Sequence, residues 1–354
     1  MIRTFLLIIA GILSSISVTT TLMAFSENEH WAIRLCDFPR LQIIFFLFLS
    51  IIIFSCYLFE NRLISYSLIA LLSIAMIFQI CKVWPYTTMN KFQVRPAMIL
   101  DSSNHLSMVY CNVYMENRNS EEALRQMTKY DPDLILAVET DQWWADQLKV
   151  LSKKYSYSVE MPLNNTYGMI LYSKLPFENK EFRFLVNEQV PSLNPVITLP
   201  SGQNVQCYFI HPKPPNPKEV PSSIERDKEL IMIAKEAKAC NIPVIVAGDL
   251  NDVGWSFTSE LFQKTSGLLD PRVGRGFYST FNAKYPFFRW PLDHVFTSTD
   301  FRLVDINRLD KMGSDHFPIY VKISFEPENS DENRPIYPDK EDEKKANEKL
   351  KKED

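Results

Sequence analysis

Three apolar runs near the N-terminus constrain this chain more than any other feature. Thr4 to Phe25 is 22 residues without a charge, Leu41 to Phe59 is 19 and Leu63 to Cys81 is 19. A helix needs about 20 such residues to cross the hydrocarbon layer of a bilayer. Arg3 precedes the first run, Arg40 and Glu60 bracket the second, and Arg62 and Lys82 bracket the third. Trp84 and Tyr86 fall where an interfacial aromatic belt belongs. The pattern predicts a membrane anchor over residues 1–84 with three transmembrane helices at about 4–25, 41–59 and 63–81. A cleaved signal peptide is the competing reading of the first run, but no small-residue cleavage site follows it and two further runs do. Glu60-Asn61-Arg62 is so short a connection that the second and third helices should be antiparallel.

Orientation is a contest between charges. Arg3 and the amino terminus favour an inside N-terminus. Arg34, Arg40, Lys82, Lys91 and Arg95 lie on the other side and argue the reverse. Because the first helix often dominates, we read an integral, multi-pass protein of the plasma or inner membrane whose C-terminal part is extracytoplasmic.

Residues 85–104 read as a linker. From residue 105 to 326, strand-like and helical segments alternate. Leu106 to Val113, Leu134 to Val138, Gly168 to Tyr172, Val196 to Leu199, Val205 to Ile210, Val244 to Ala247, Leu292 to Thr297, Phe301 to Ile306 and Pro318 to Phe325 read as strands. Glu121 to Lys129 and Ser222 to Ala239 read as helices. Many strands with few helices predict sheet packed on sheet, with helices outside. Residues 327–354 are proline-containing and then a Lys/Glu run, with too little apolar surface to fold alone, so disorder or a frayed helix is expected.

The formal net charge of −4 gives no general affinity for polyanions, so a nucleic-acid substrate would need a local basic patch or a metal. Lys213, Lys218, Arg272, Arg275 and Arg289 are the candidate cations, and Phe287, Phe288 and Trp290 a candidate interfacial loop. The cysteines, at 36, 56, 81, 111, 207 and 240, include no C-x-x-C pair, which argues against a structural zinc site.

Polar residues terminate the apolar strands. Asn112 and Glu139 end two of them, His211 ends a third, and Asp249 and Asn251 follow Val244 to Gly248. Asp293 starts another, and Asp315 and His316 precede Pro318. Such groups can converge at one mouth of a sandwich. Carboxylates such as Glu139 and Asp315 suit Mg²⁺ or Mn²⁺. A histidine such as His316, with a carboxylate on its other nitrogen, suits general-base work. His211 can donate to a phosphate or leaving oxygen, and Asn112 and Asn251 can orient phosphate without competing for metal.

Cys111-Asn112-Val113, Asp131-Pro132-Asp133 through Glu139-Thr140, Tyr167 to Ser173, His211, Gly248-Asp249-Leu250-Asn251, Pro291-Leu292-Asp293-His294-Val295 and Gly313-Ser314-Asp315-His316-Phe317-Pro318 stand in one order. Together they resemble the endonuclease/exonuclease/phosphatase superfamily over about residues 105–325. The resemblance implies a four-layer α/β/β/α sandwich and divalent-metal-dependent hydrolysis of a phosphodiester, most simply by a membrane-tethered nuclease acting on nucleic acid. The alternatives are a phosphatase or a sphingomyelinase- or phospholipase C-like hydrolase of a phospholipid headgroup, and an inactive membrane-bound binding module. It implies Glu139 as metal ligand with Asp315 nearby, Asp249 and Asn251 at the scissile phosphate or the nucleophile, His316 as base oriented by Asp293, and His211 on the phosphate side. Two departures bear on substrate choice. Val138 precedes Glu139 where many nuclease members have Gln, and His211-Pro212-Lys213-Pro214-Pro215 is unusually proline-rich.

Overall fold

Long apolar helices open the chain, which a computed structural model describes over residues 1–57, 62–98 and 101–352. Helix α1 spans Ile2–Met23, the short α2 Trp31–Arg34, α3 Arg40–Cys56 and α4 Arg62–Val83. Ala10, Ile43, Leu47, Phe54, Leu72 and Ala75 pack into a core between α1, α3 and α4. Arg40 donates to Gln79 Oε1 at 2.8 Å, and Gln79 donates to Thr21 Oγ1 at 2.8 Å. These bonds place the start of α3 against the ends of α4 and α1, so α3 runs antiparallel to both. Ile8, Ile16, Phe45, Phe48 and Ile74 face outward, each more than half exposed. A belt of this kind marks a surface for interaction with protein or membrane.

Ile2–Met23 and Arg62–Tyr86 are long and apolar enough to cross a membrane. The middle run is a third span only if Trp31–Asp37 and Arg40–Cys56 count as one, across a 69° bend. The expectation of three spans is thus revised to two, or up to three. Pro39, which lacks the N–H an uninterrupted helix needs, stands at the bend. The turn expected at Glu60-Asn61 lies outside the described residues.

The strands are β1 (His105–Asn112), β2 (Leu134–Val138), β3 (Tyr157–Met161), β4 (Met169–Ser173), β5 (Phe177–Glu178), β6 (Phe182–Arg183), β7 (Ser192–Leu193), β8 (Val196–Thr198), β9 (Asn204–Ile210), β10 (Val244–Asp249), β11 (Asp293–Thr297), β12 (Phe301–Arg308) and β13 (Ile319–Phe325). One sheet has the order β12-β13-β1-β2-β4-β3. The other has the order β11-β10-β9-β7-β6, with β8 joining β9 to β5. The pairs β1–β2 and β9–β10 are parallel.

Side-chain alternation makes the layers. Met108, Tyr110, Leu134 and Leu136 of one sheet meet Cys207, Phe209, Ile245 and Ala247 of the other. On the reverse face Cys111, Ile135 and Ala137 pack on α5 (Ser120–Thr128) and α6 (Gln142–Leu148) through Ala123, Met127, Trp144 and Leu148. Opposite, Tyr208, Ile210, Val244 and Val246 pack on α7 (Ile224–Ala239) and α8 (Phe257–Ser266) through Leu230, Ile233, Ala234 and Phe262. The result is the expected four-layer α/β/β/α sandwich.

Two segments are more ordered than their composition suggests. The linker lies along β12: Ala97 N donates to Leu303 O and Leu303 N to Arg95 O. The tail, expected to be disordered or a frayed helix, forms α9 (Lys340–Lys351), which starts in a capping box at Asp339 and packs on α7 and α8. Its hold is ionic: Lys349 Nζ lies 2.6 Å from the buried Asp227 carboxylate. Counting apolar residues does not reveal an anchor of that kind.

Candidate active site

The parallel pairs β1–β2 and β9–β10 deliver their C-terminal ends to one mouth of the sandwich. Registers Asn112↔Val138 and Gly248↔Ile210 set Asn112 and Glu139 on one side, and His211 and Asp249 on the other. The antiparallel β11 adds its first residue, since Asp249 pairs with Asp293. Gly248 is required here because a Cβ would meet Ile210 O at 1.8 Å. Glu139 at φ 59° and Asn251 at φ 51° adopt left-handed backbone that non-glycine residues seldom take outside turns and functional sites.

His316 is the centre of the polar network. Its Nδ1 lies 2.9 Å from Asp293 Oδ2, and its Nε2 lies 3.5 Å from Asp249 Oδ2. Burial disfavours the charged ring, but the carboxylates of Asp293 and Asp249 outweigh it and push His316 up to about 10. Asn112 Nδ2 donates to Glu139 Oε1 at 2.6 Å and approaches Asp249 Oδ2 at 3.3 Å. Burial pushes the Glu139 carboxyl up to about 7 against the bond from Asn112. Asp249 is raised as well, by burial and then by the neighbouring Asp293. His211 Nε2 stands 4.0 Å from Asp249 Oδ2, and burial lowers this ring to about 4, so it is neutral.

The remaining expected residues sit around this centre. The Asn251 amide N donates to Asp249 Oδ1 at 2.9 Å, while its side-chain Nδ2 donates to Pro212 O at 2.9 Å. Asp315 is half-buried, and its charge helps to raise Glu139. Asp249, Asp293 and His316 present ligand atoms within 4.8 Å of one another. A buried group this rich in carboxylates, with Glu139 beside it and Asp293 Oδ1 without a partner, fits a hard divalent cation.

Several further residues hold the site, of which Ser314 stands in the Gly313 to Pro318 motif. The Tyr110 hydroxyl accepts the Asp249 amide at 2.7 Å across the inter-sheet core. Ser314 Oγ donates to Asn112 O and accepts the His316 amide. Arg226 donates to Asn251 O and pairs with Asp227 and Asp252, bracing the loop after β10. The Phe281 ring lies 5.0 Å from His316. None of these has a polar residue at a strand end to announce it.

Four of the five candidate surface cations are otherwise engaged: Lys213 lies 3.8 Å from Glu225, and Arg289 donates to Asn282 O. Arg272 is buried against Asp270 at 2.7 Å and donates to Asp293 O, so it supports the site and is no groove cation. Arg275 donates to Pro271 O and Val94 O. A large residue paired with a nearby aspartate cannot be told from a solvated one by composition.

The profile of the Endonuclease/Exonuclease/phosphatase family matches residues 109–316 of this chain. No curated protein matches the sequence. Among solved structures, D. rerio TDP2 humanized by 14 mutations has the same fold at 18% identity, covering 62% of this chain and 99% of that one with a TM-score of 0.50. D. rerio TDP2 complexed with a single strand DNA product gives the same identity, coverages and TM-score. The chain belongs to the endonuclease/exonuclease/phosphatase family and is, with it, a hydrolase of phosphoester bonds.

Proposed function

We propose that the protein is a membrane-tethered, divalent-metal-dependent phosphodiesterase in which water attacks phosphorus in line. The observation that carries this is His316 held between Asp293 at 2.9 Å and Asp249 at 3.5 Å. Asp293 fixes the ring so that Nε2 faces the reaction space and takes the proton of the water. Asp249, fixed by Tyr110 and Asn251, orients that water. Neutral His211 donates to a phosphoryl or leaving oxygen, and Asn112 holds Glu139 in place. A cation held by Glu139, with Asp315 at the mouth, would offset charge on the phosphoryl oxygens and, as positive charge beside Asp249, ease the proton off His316.

Two substrate classes remain in play. A nucleic acid is favoured by the D. rerio TDP2 of the same fold that is complexed with a single strand DNA product. A phospholipid headgroup is favoured by the anchor's position. Phe287 and Phe288 are half-exposed, the Phe287 ring lies 6.3 Å from Phe46 of α3, and Gln42 donates to Phe287 O. The test is incubation of the full-length protein in detergent with Mg²⁺ or Mn²⁺ against plasmid DNA, RNA, and sphingomyelin or phosphoinositide vesicles. EDTA and His316→Ala are the controls. Metal-dependent cutting of nucleic acid that the variant lacks supports a nuclease, and cleavage of lipid alone supports a headgroup hydrolase. Equal turnover by His316→Ala would overturn the assignment.

A further inference from the structure

A cavity of about 580 Å³ lies where α4 leaves the apolar bundle. It is lined by Phe78, Cys81 and Lys82 of α4, by Trp255 in the loop after β10, by Lys91 of the linker and by Arg334 of the tail. Its volume is within the roughly 300–1,000 Å³ of ordinary ligand sites. The charge on its wall is one-sided: Lys82, Lys91, Lys264 and Arg334 stand against the single carboxylate of Glu260. Lys82 and Lys264 are paired with Glu260 at 3.2 and 3.1 Å. Lys91 and Arg334 are exposed, and neither side chain has a hydrogen-bond or ion-pair partner among the described residues. Two unpaired cations therefore border a pocket whose inner wall includes Phe78, Trp255 and Ile336.

The location identifies the occupant. Phe78 and Cys81 continue the exposed apolar face of α4 on which Ile74 and Ile77 are 66% and 57% exposed. Ile74 stands four residues before Phe78 and Ile77 four before Cys81, the spacing of neighbours on one helix face, so the pocket opens onto the surface that meets acyl chains if α4 crosses the bilayer. Trp84 and the Lys82 ammonium mark the level of the headgroups.

We propose that this cavity seats one anionic phospholipid, with its phosphate between Lys91 and Arg334 and its acyl chains along Phe78 and the outer face of α4. The seat is separate from the active site and rests on reading α1, α3 and α4 as a membrane anchor. A bound lipid would join α4, linker, loop and tail, and so hold the catalytic part at a fixed height above the bilayer.

The test uses the full-length protein from membranes in mild detergent, titrated with phosphatidylglycerol or phosphatidylcholine and read by native mass spectrometry. One retained phosphatidylglycerol per chain is expected, with phosphatidylcholine held more weakly. The double variant Lys91→Ala/Arg334→Ala should weaken phosphatidylglycerol by about 10- to 30-fold, at about one surface cation's worth each, with its melting temperature unchanged. Equal retention of the two lipids, or undiminished phosphatidylglycerol on the double variant, would overturn the seat. Alkaline carbonate extraction separates the two readings. Release of the chain from the membrane pellet removes the anchor and the seat together, whereas a chain that stays in the pellet without lipid preference removes the seat alone.

Discussion

Asp293 is the residue on which the geometry of the base depends, because its Oδ2 is the partner of His316 Nδ1. Asp293→Asn would keep the volume but present an amide, which leaves the ring in the wrong tautomer or orientation. We expect kcat to fall by about 10²–10⁴-fold with KM little changed, measured by steady-state hydrolysis. A KM effect alone would mean that Asp293 serves binding. Glu139 yields a second expectation. Burial raises its carboxyl to about 7, so below that pH it holds a proton that a metal must displace. Affinity for Mg²⁺ or Mn²⁺ should therefore fall as pH drops through about 7, by up to about tenfold per unit, in calorimetric titrations. Glu139→Gln should lose both the affinity and the slope. A flat pH profile for the unmodified protein would place the metal elsewhere. At this scale the sequence is most readable where a polar residue interrupts an apolar strand end, as with Asn112, Glu139, His211 and Asp249. Tyr110 is invisible because it belongs to a strand's inward face, and Ser314, although it stands in the Gly313 to Pro318 motif, resembles any turn serine in its bonding.

Among elements, α9 most changes the expected picture. Burial alone would raise the Asp227 carboxyl, yet Lys349 and Arg226 hold it well below the usual carboxylate range. A depressed carboxyl contributes stability at neutral pH and loses it progressively below about pH 4, as the acid protonates. Lys349→Ala should lower stability by about 1–3 kcal/mol in thermal melts near neutral pH, with a smaller difference in acid. No change would mean that α9 is only loosely held. The long apolar strands and α7 are legible because period and length agree. Helix α8 is less so: Phe257–Ser266 is rich in Ser and Thr, although Ser256 caps its start and Gly267 its left-handed end. Strand β3 is an edge strand whose Tyr157, Val159 and Met161 are half-buried and whose Ser158 and Glu160 are exposed, an alternation only five residues long and therefore easily passed over.

In the whole molecule, the N-terminal helices and the part that carries the active site are in direct contact. The Phe281 ring near His316 lies 6.2 Å from Trp290, and Trp290 lies 5.6 Å from Phe38 at the entry to α3. Trp255 Nε1, six residues beyond Asp249, donates to Asp37 O at 2.7 Å. His316 is thus three ring contacts from the N-terminal helices, an arrangement no sequence period encodes because it joins residues 38, 281, 290 and 316. Trp290→Ala should loosen that wall and lower kcat by up to about 100-fold while the metal affinity is kept. A rate equal to the unmodified protein would show that the anchor does not brace the site. The most direct test of the central claim is hydrolysis of bis(p-nitrophenyl) phosphate by the full-length protein with Mg²⁺ or Mn²⁺. The account expects turnover that EDTA abolishes and that Glu139→Ala and His316→Ala each reduce by at least about 10³-fold. Turnover that survives EDTA, or full rates in both variants, would contradict it.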